Sequence, residues 1–410
     1  MSVNHDIDAV LRELEELEGG GFTRRAFLGR LGGLAAAASL AGVSAAAAAA
    51  APQRAGPATR SAVPPIDPSK VGGRLNWLGF QGYDDRGAIG TWLKQRHVDL
   101  RTTYGSSNDD WIPKLRAGGI GTYDNLTIYF AYVPTLAQLG LVQPIPLSAL
   151  PNFKNLYPQF QSAARAVPGP ADGVYFVPLV WGRAELVYSS KFVPQGLQSY
   201  YDVLKPQYKG RLVLLDDTLT NVATWASVLG YNTASMTKEQ LSRVTDLMIR
   251  AKKNARTIAP DFGEQTDLFA RGEVWMTIGG WSALIKWAAD KGEKGLKLAK
   301  PKEKTWSWTD TYTLVKDAPH RDTAVALINE IISPSAQVGF AKAVVSGVTN
   351  RLATPRVPPD LRALYPYSDI NAAFRDAPLL ILPPLLADKG KNGTVVFRDW
   401  VNAWNKAKAA

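Results

Sequence analysis

From Arg74 onward, short apolar runs alternate with amphipathic stretches, and that order restricts the chain to an α/β fold. Arg74–Phe80 reads as a buried strand, and Asp84–Gln95 as a helix with Ile89, Trp92 and Leu93 at helical spacing. Val98–Tyr104 reads as the second strand. Asp109 or Asp110 is placed to cap a helix that starts at Trp111. Tyr123–Tyr129 reads as a strand, and Val133–Leu139 as a short helix closed by Gly140. This succession predicts right-handed crossovers and a largely parallel sheet covered on both faces.

Tyr175–Tyr188 is a long apolar run that contains Pro178 and Gly182. A straight central strand does not tolerate that proline, whereas a strand bending from one sheet to another does. Further strands are predicted at Arg211–Leu215, Glu273–Ile278 and Thr311–Val315. Helices are predicted at Met236–Asn254, Thr266–Phe269, Ser282–Asp290 and Asp322–Ile332, the last stopped by Pro334. Closing helices are expected over Asn371–Phe374 and Val395–Lys408.

Ahead of this body lies Thr23-Arg24-Arg25-Ala26-Phe27-Leu28, then a run from Leu31 to Ala51 made almost wholly of Ala, Leu, Gly, Ser and Val. Paired arginines before a mildly apolar run resemble a twin-arginine export signal, assigned here to residues 1–51. The run is too weakly apolar for a good membrane span, and Ser44–Ala51 offers Ala-x-Ala cleavage sites. Met1–Glu18 reads as an amphipathic helix ended by Gly19–Gly21. Residues 52–72 read as a linker. The absence of cysteine excludes disulfides, thiol catalysis and a lipid-anchoring cysteine, so the exported protein is expected outside the cytoplasm and not as a lipoprotein.

The formal net charge is +11, and removal of residues 1–51, with four arginines and six acids, raises it to +13. The basic residues are scattered. The densest cluster, Lys291–Lys304, is interrupted by Glu293 and Glu303 and reads as a solvated face rather than a nucleic-acid site. His5, His97 and His320 are far apart, with no His-Glu-x-x-His spacing, so neither a metal nor a cofactor is expected. No Gly-x-Ser-x-Gly elbow is present, and Asp216 and Asp217, adjacent on an extended segment, point in opposite directions. An exported hydrolase and a non-transport sensor of the same fold are therefore the lesser readings.

A collinear series of segments carries a resemblance. It runs through Gly82-Tyr83-Asp84-Asp85, Gly105-Ser106-Ser107-Asn108, Tyr123-Asp124 and Val177–Gly182. It continues through Leu204–Gly210, Asp216-Asp217, Gly272-Glu273-Val274, Trp308-Thr309-Asp310 and Ala324–Ile331. From about Arg74 to Lys406 the chain resembles the spermidine/putrescine-binding, extracellular solute-binding proteins of ABC importers. The resemblance implies a two-lobed periplasmic-binding-protein fold of type II, with a cleft between lobes joined by crossing strands. Lobe 1 would comprise 73–182 and 307–352, and lobe 2 would comprise 183–306 and 353–410. It also implies a monomer that binds a small amine and docks on a membrane permease.

A polyamine needs carboxylates for its ammonium groups and aromatic faces for its methylenes. By position, the resemblance assigns Asp217 and Asp310 as ammonium partners and Trp308 and Tyr83 as aromatic walls. Phe80, Trp281, Tyr129 and Tyr132 are further wall candidates, and Arg183 and Glu185 are candidates for the cleft or its ligand. Three departures stand out. Thr220 occupies a position where the family carries a second acid, Val348 stands in place of an aromatic, and Arg183 adds a cation beside the crossing strand. Together they leave open a ligand of lower positive charge: a monoamine, an amino-acid-like zwitterion or a carboxylated amine.

Overall fold

The computed structural model describes residues 62–105, 108 and 111–410. The export signal, the helix at Met1–Glu18, the linker up to residue 61, Ser106, Ser107 and the capping residues Asp109 and Asp110 lie outside the described residues. Residues 62–72 are tied down rather than free. Val63 N donates to Asp172 at 2.9 Å, Gly72 N to Thr323 Oγ1 at 3.0 Å, and Arg321 to the carbonyls of Pro64 and Pro65.

The strands, in chain order, are β1 Gly73–Gly79, β2 Val98–Tyr104, β3 Asn125–Tyr129, β4 Val142–Gln143, β5 Ile145–Pro146, β6 Gly173–Val174 and β7 Phe176–Arg183. They continue with β8 Glu185–Ser189, β9 Leu212–Leu215, β10 Ala255–Ala259, β11 Met276–Gly280, β12 Leu296–Leu298, β13 Ser307–Val315 and β14 Gly347–Val348. One sheet runs β14-β7-β13-β3-β1-β2, with β4 also on β13. The second runs β10-β9-β11-β8-β12, and β5 and β6 form a small ladder of their own.

Neither large sheet is purely parallel. β1 lies parallel to β2 and β3, but β13 inserts antiparallel between β3 and β7. In the second sheet β9 is parallel to β10 and β11, while β8 is antiparallel to β11 and β12. The expected parallel sheet is corrected because strands that return from the other sheet arrive in the opposite direction.

The apolar run with Pro178 resolves as foreseen. β7 belongs to the first sheet and β8 to the second, with Ala184 alone between them. The register of β7 on β13 shifts between the Val180 and Pro178 pairings, a bulge that accommodates the residue lacking an N–H. The chain crosses back at Thr305–Ser307. The two crossings are pinned to each other: Ala184 N donates to Trp306 O at 2.9 Å and Thr305 Oγ1 donates to Ala184 O. A third segment joins them, since Ser307 N donates to Pro378 O and Leu380 N to Ser307 O.

Several helices were not foreseen, among them Pro158–Arg165, Thr218–Val228 and Pro334–Val344. Thr218–Val228 buries seven consecutive residues, Thr220 to Ala226, so it has no polar stripe to reveal its period. Pro334 does not merely end a helix; it opens the next one, Pro334–Val344, at a position where its missing N–H is harmless. The C-terminal helix Phe397–Ala409 packs against Thr218–Val228 and Lys238–Asn254 beside the second sheet.

Candidate ligand-binding site

Asp310 sits on β13, where the crossing strand enters the first sheet. Its Oδ2 accepts a hydrogen bond from the Tyr83 hydroxyl at 2.5 Å. Protein surrounds the carboxyl, and one side stays open to a cavity. Burial raises it to about 6, with the Tyr83 bond acting in the opposite direction. Burial first, then the Asp310 charge, holds the Tyr83 phenol well above its ordinary range, so it remains a donor. Tyr83 is itself positioned by its backbone, whose carbonyl accepts from Tyr312 Oη at 2.8 Å.

Asp217 caps the helix Thr218–Val228, its Oδ1 accepting from Thr220 N at 2.6 Å. Burial raises its carboxyl, Thr220 lowers it, and neighbouring Asp216 raises it further. Asp217 is thus a helix cap that also lines the cavity.

The cavity encloses about 480 Å³ and is lined by Phe80, Tyr83, Tyr129, Tyr132, Asp217, Trp281, Trp308 and Asp310, the eight wall and ammonium candidates named from the sequence. Trp308 stands edge-on to Trp281 at 5.2 Å and 85°. Its indole lies over Gly182, where a Cβ would come within 2.4 Å of the ring. Trp281 Nε1 donates to Tyr365 Oη at 3.1 Å. Phe80 meets Tyr83 edge-on at 6.2 Å. Tyr129 is more enclosed: its hydroxyl donates to Leu380 O at 2.6 Å, and its backbone N donates to Asn108 Oδ1 at 2.9 Å. Tyr132 packs edge-on to Phe397.

Arg183 and Glu185 are not on this cavity. They line a separate, larger concavity of about 1240 Å³. The cause is the pleat of the crossing strands, in which side chains alternate between faces. Ala184, Trp306, Trp308 and Asp310 face the first cavity, while Arg183, Glu185 and Thr305 face the other. Burial raises the Glu185 carboxyl, and Arg183, with Nε 3.3 Å from Oε1, lowers it.

Several lining residues had no sequence signal strong enough to single them out. Trp306 lies two positions before Trp308, so strand alternation alone places it on the same face. Asp261 follows β10 and caps Phe262–Ala270, just as Asp217 follows β9 and caps Thr218–Val228. Acids at the carboxyl ends of adjacent parallel strands converge on the crevice. Asp216 also lines the cavity, so the two adjacent acids do not diverge as expected of an extended segment, because Asp217 already opens a helix. Asp216 is taken up by Trp404 Nε1 and Lys408 Nζ, each at 2.9 Å. Four carboxylates against one ammonium leave the cavity three negative charges in excess, inside a chain of net charge +11. Among the described residues no His, Cys, Asp and Glu cluster is arranged to hold a metal.

Two sheets joined by crossing strands, with an acidic aromatic cavity at the crossing, define a solute-binding architecture. Residues 91–358 match the family of bacterial extracellular solute-binding proteins, and the chain belongs to that family. It is 25% identical over 297 residues to the spermidine/putrescine-binding periplasmic protein of Salmonella typhimurium, covering 71% of this chain and 83% of that one. Among solved structures it resembles the Tp0655 lipoprotein of Treponema pallidum, with a TM-score of 0.69 and 20% identity over 82% of this chain and 100% of that one. It also resembles a spermidine/putrescine transporter substrate-binding protein of Streptococcus pneumoniae, with a TM-score of 0.67 and 21% identity over 82% and 98% of the two chains. The fold is the two-lobed type II binding-protein fold.

Proposed function

We propose that the chain is the extracytoplasmic receptor of an ABC importer, exported through the twin-arginine pathway as a monomer, and that it captures a polyamine-like amine between its lobes. One observation carries this reading: a cavity with three uncompensated carboxylates and a tryptophan and tyrosine lining, within a strongly basic protein. Ammonium groups pair with the carboxylates, and methylenes lie against Trp308, Trp281 and Phe80. The lobes proposed are 73–182 with 307–352 and 183–306 with 353–410, which closely follow the division of strands between the two sheets. Closure bends the crossings at Ala184 and Thr305–Ser307 and presents the closed form to a permease.

The readings with a carboxylated or zwitterionic ligand lose their main support. They rested on Arg183 beside the cleft and on Thr220 in place of an acid. Arg183 faces away, and Asp261 supplies a carboxylate that offsets the one missing at Thr220.

A thermal-shift screen of polyamines, amino acids and organic acids tests the ligand class. An amine at 100 times its dissociation constant should stabilise the protein by about 2.7 kcal/mol. Stabilisation by carboxylates alone would overturn the polyamine reading.

A further inference from the structure

The face of the crossing strands opposite the acidic cavity carries the reverse charge. Six cations line its concavity, Arg183, Lys300, Lys302, Lys304, Arg351 and Arg362. Three acids accompany them. Glu185 lies against Arg183, and Glu303 accepts from Ser199 Oγ at 2.6 Å and Tyr200 N at 3.1 Å, which leaves Asp376 as the third. The balance is three positive charges in excess, against three negative on the other side of the same strands. None of Lys300, Lys302, Lys304, Arg351 and Arg362 has an ion-pair partner among the described residues.

Arg183 is the built element. Its side chain is only 24% exposed, and it makes no hydrogen bond to any described residue. Its Nε is fully covered and ion-paired with Glu185 Oε1 at 3.3 Å, outside hydrogen-bond geometry, which leaves the two terminal amino groups without a hydrogen-bond partner among the described residues. A guanidinium held in a crevice with its terminal amino groups unused is a receptor for a planar or tetrahedral oxyanion. The lysine segment 300–304 and the arginines at 351 and 362 supply charge around it. The concavity, about 1240 Å³ and bounded by Tyr157, Tyr200 and Tyr365, is wide enough to admit a polyvalent anion to the Arg183 guanidinium.

We propose that this crevice is a second binding site, for a small polyvalent oxyanion anchored by Arg183. The shared chemistry is a cluster of phosphate or carboxylate oxygens. The site is separate from the amine cavity and does not depend on what that cavity binds.

Calorimetric titration of the full chain with pyrophosphate and, separately, with citrate at low ionic strength tests the site. One saturable site is expected for at least one of them. Pyrophosphate alone identifies a phosphate source, and citrate alone a carboxylate source. R183K keeps a charge beside Glu185 but loses the fork, and it should weaken binding about tenfold or more. The exposed pair K300Q/K302Q, which does not threaten the fold, should weaken it several-fold. D310N, across the strands, should leave anion binding unchanged. No saturable binding of either anion, or R183K and K300Q/K302Q both binding as the native chain does, would overturn the proposal.

Discussion

Asp310 is held in a state that costs stability. Its carboxyl titrates near 6 in the fold against an ordinary value of 3.8. Raised in this way, it penalises folding once it is ionised. The penalty is absent below 3.8, grows up to about 6 and is complete above it. An amide at this position keeps a partner for the Tyr83 hydroxyl and removes the penalty. D310N should therefore melt on the order of 2 °C higher than the native chain at pH 7.5, with no gain near pH 4. The same variant should bind amines about 10- to 150-fold more weakly, the scale of a hydrogen bond to a charged group. Unchanged affinity would remove Asp310 from the site. Because the ammonium needs the ionised acid, amine affinity should fall up to tenfold per pH unit below about 6 and be level above it. Y83F removes the donor that lowers the Asp310 carboxyl, so its midpoint should move to higher pH. A pH profile identical in D310N and the native chain would contradict this assignment. Position along the chain, through the family resemblance, was enough to select Asp310, Asp217 and the aromatic wall candidates, which the fold brings to one cavity. Asp261 was missed because the strand before it, Ala255–Ala259, is partly exposed and alternates weakly, so nothing marked the acid as the end of a strand.

The crossing strands are the elements that make a site out of two sheets. Their pleat sends Trp306, Trp308 and Asp310 one way and Arg183 and Glu185 the other. Sequence showed that Tyr175–Tyr188 must bend, because of Pro178, but not which side of the bend each residue would face. Gly182 is the tightest requirement on these strands. A methyl group there meets the Trp308 indole at 2.4 Å, so Gly182→Ala must displace the ring. Calorimetry should show weaker amine binding together with a loss of about 1–3 kcal/mol in stability. Full affinity in this variant would show that the ring does not line the bound ligand. Long helices with a clear apolar stripe, such as Lys238–Asn254 with its Thr237 cap, were legible from spacing. Thr218–Val228 was not, since burial on all sides erases the stripe.

At the scale of the molecule, two sheets with different strand orders are linked by the crossings at Ala184 and Thr305–Ser307, and Pro378–Leu380 hydrogen-bonds to the second of them. The alternation of strands and helices made the α/β class legible. The antiparallel insertion of β13 was not, because it joins residues some 180 positions apart in sequence, such as Thr313 and Leu126. Bending at these links would bring Asp310, on the first sheet, towards Asp217 and Asp261, beyond the ends of strands in the second. Small-angle scattering should then record a smaller radius of gyration with saturating spermidine than without it. An unchanged radius despite saturation would contradict closure. The central claim is that the acids and rings of the 480 Å³ cavity hold an amine, and a crystal structure with spermidine tests it most directly. The account predicts a ligand nitrogen within about 3 Å of an Asp310 oxygen, with methylenes against Trp308. Spermidine bound elsewhere, with this cavity left to water, would contradict it.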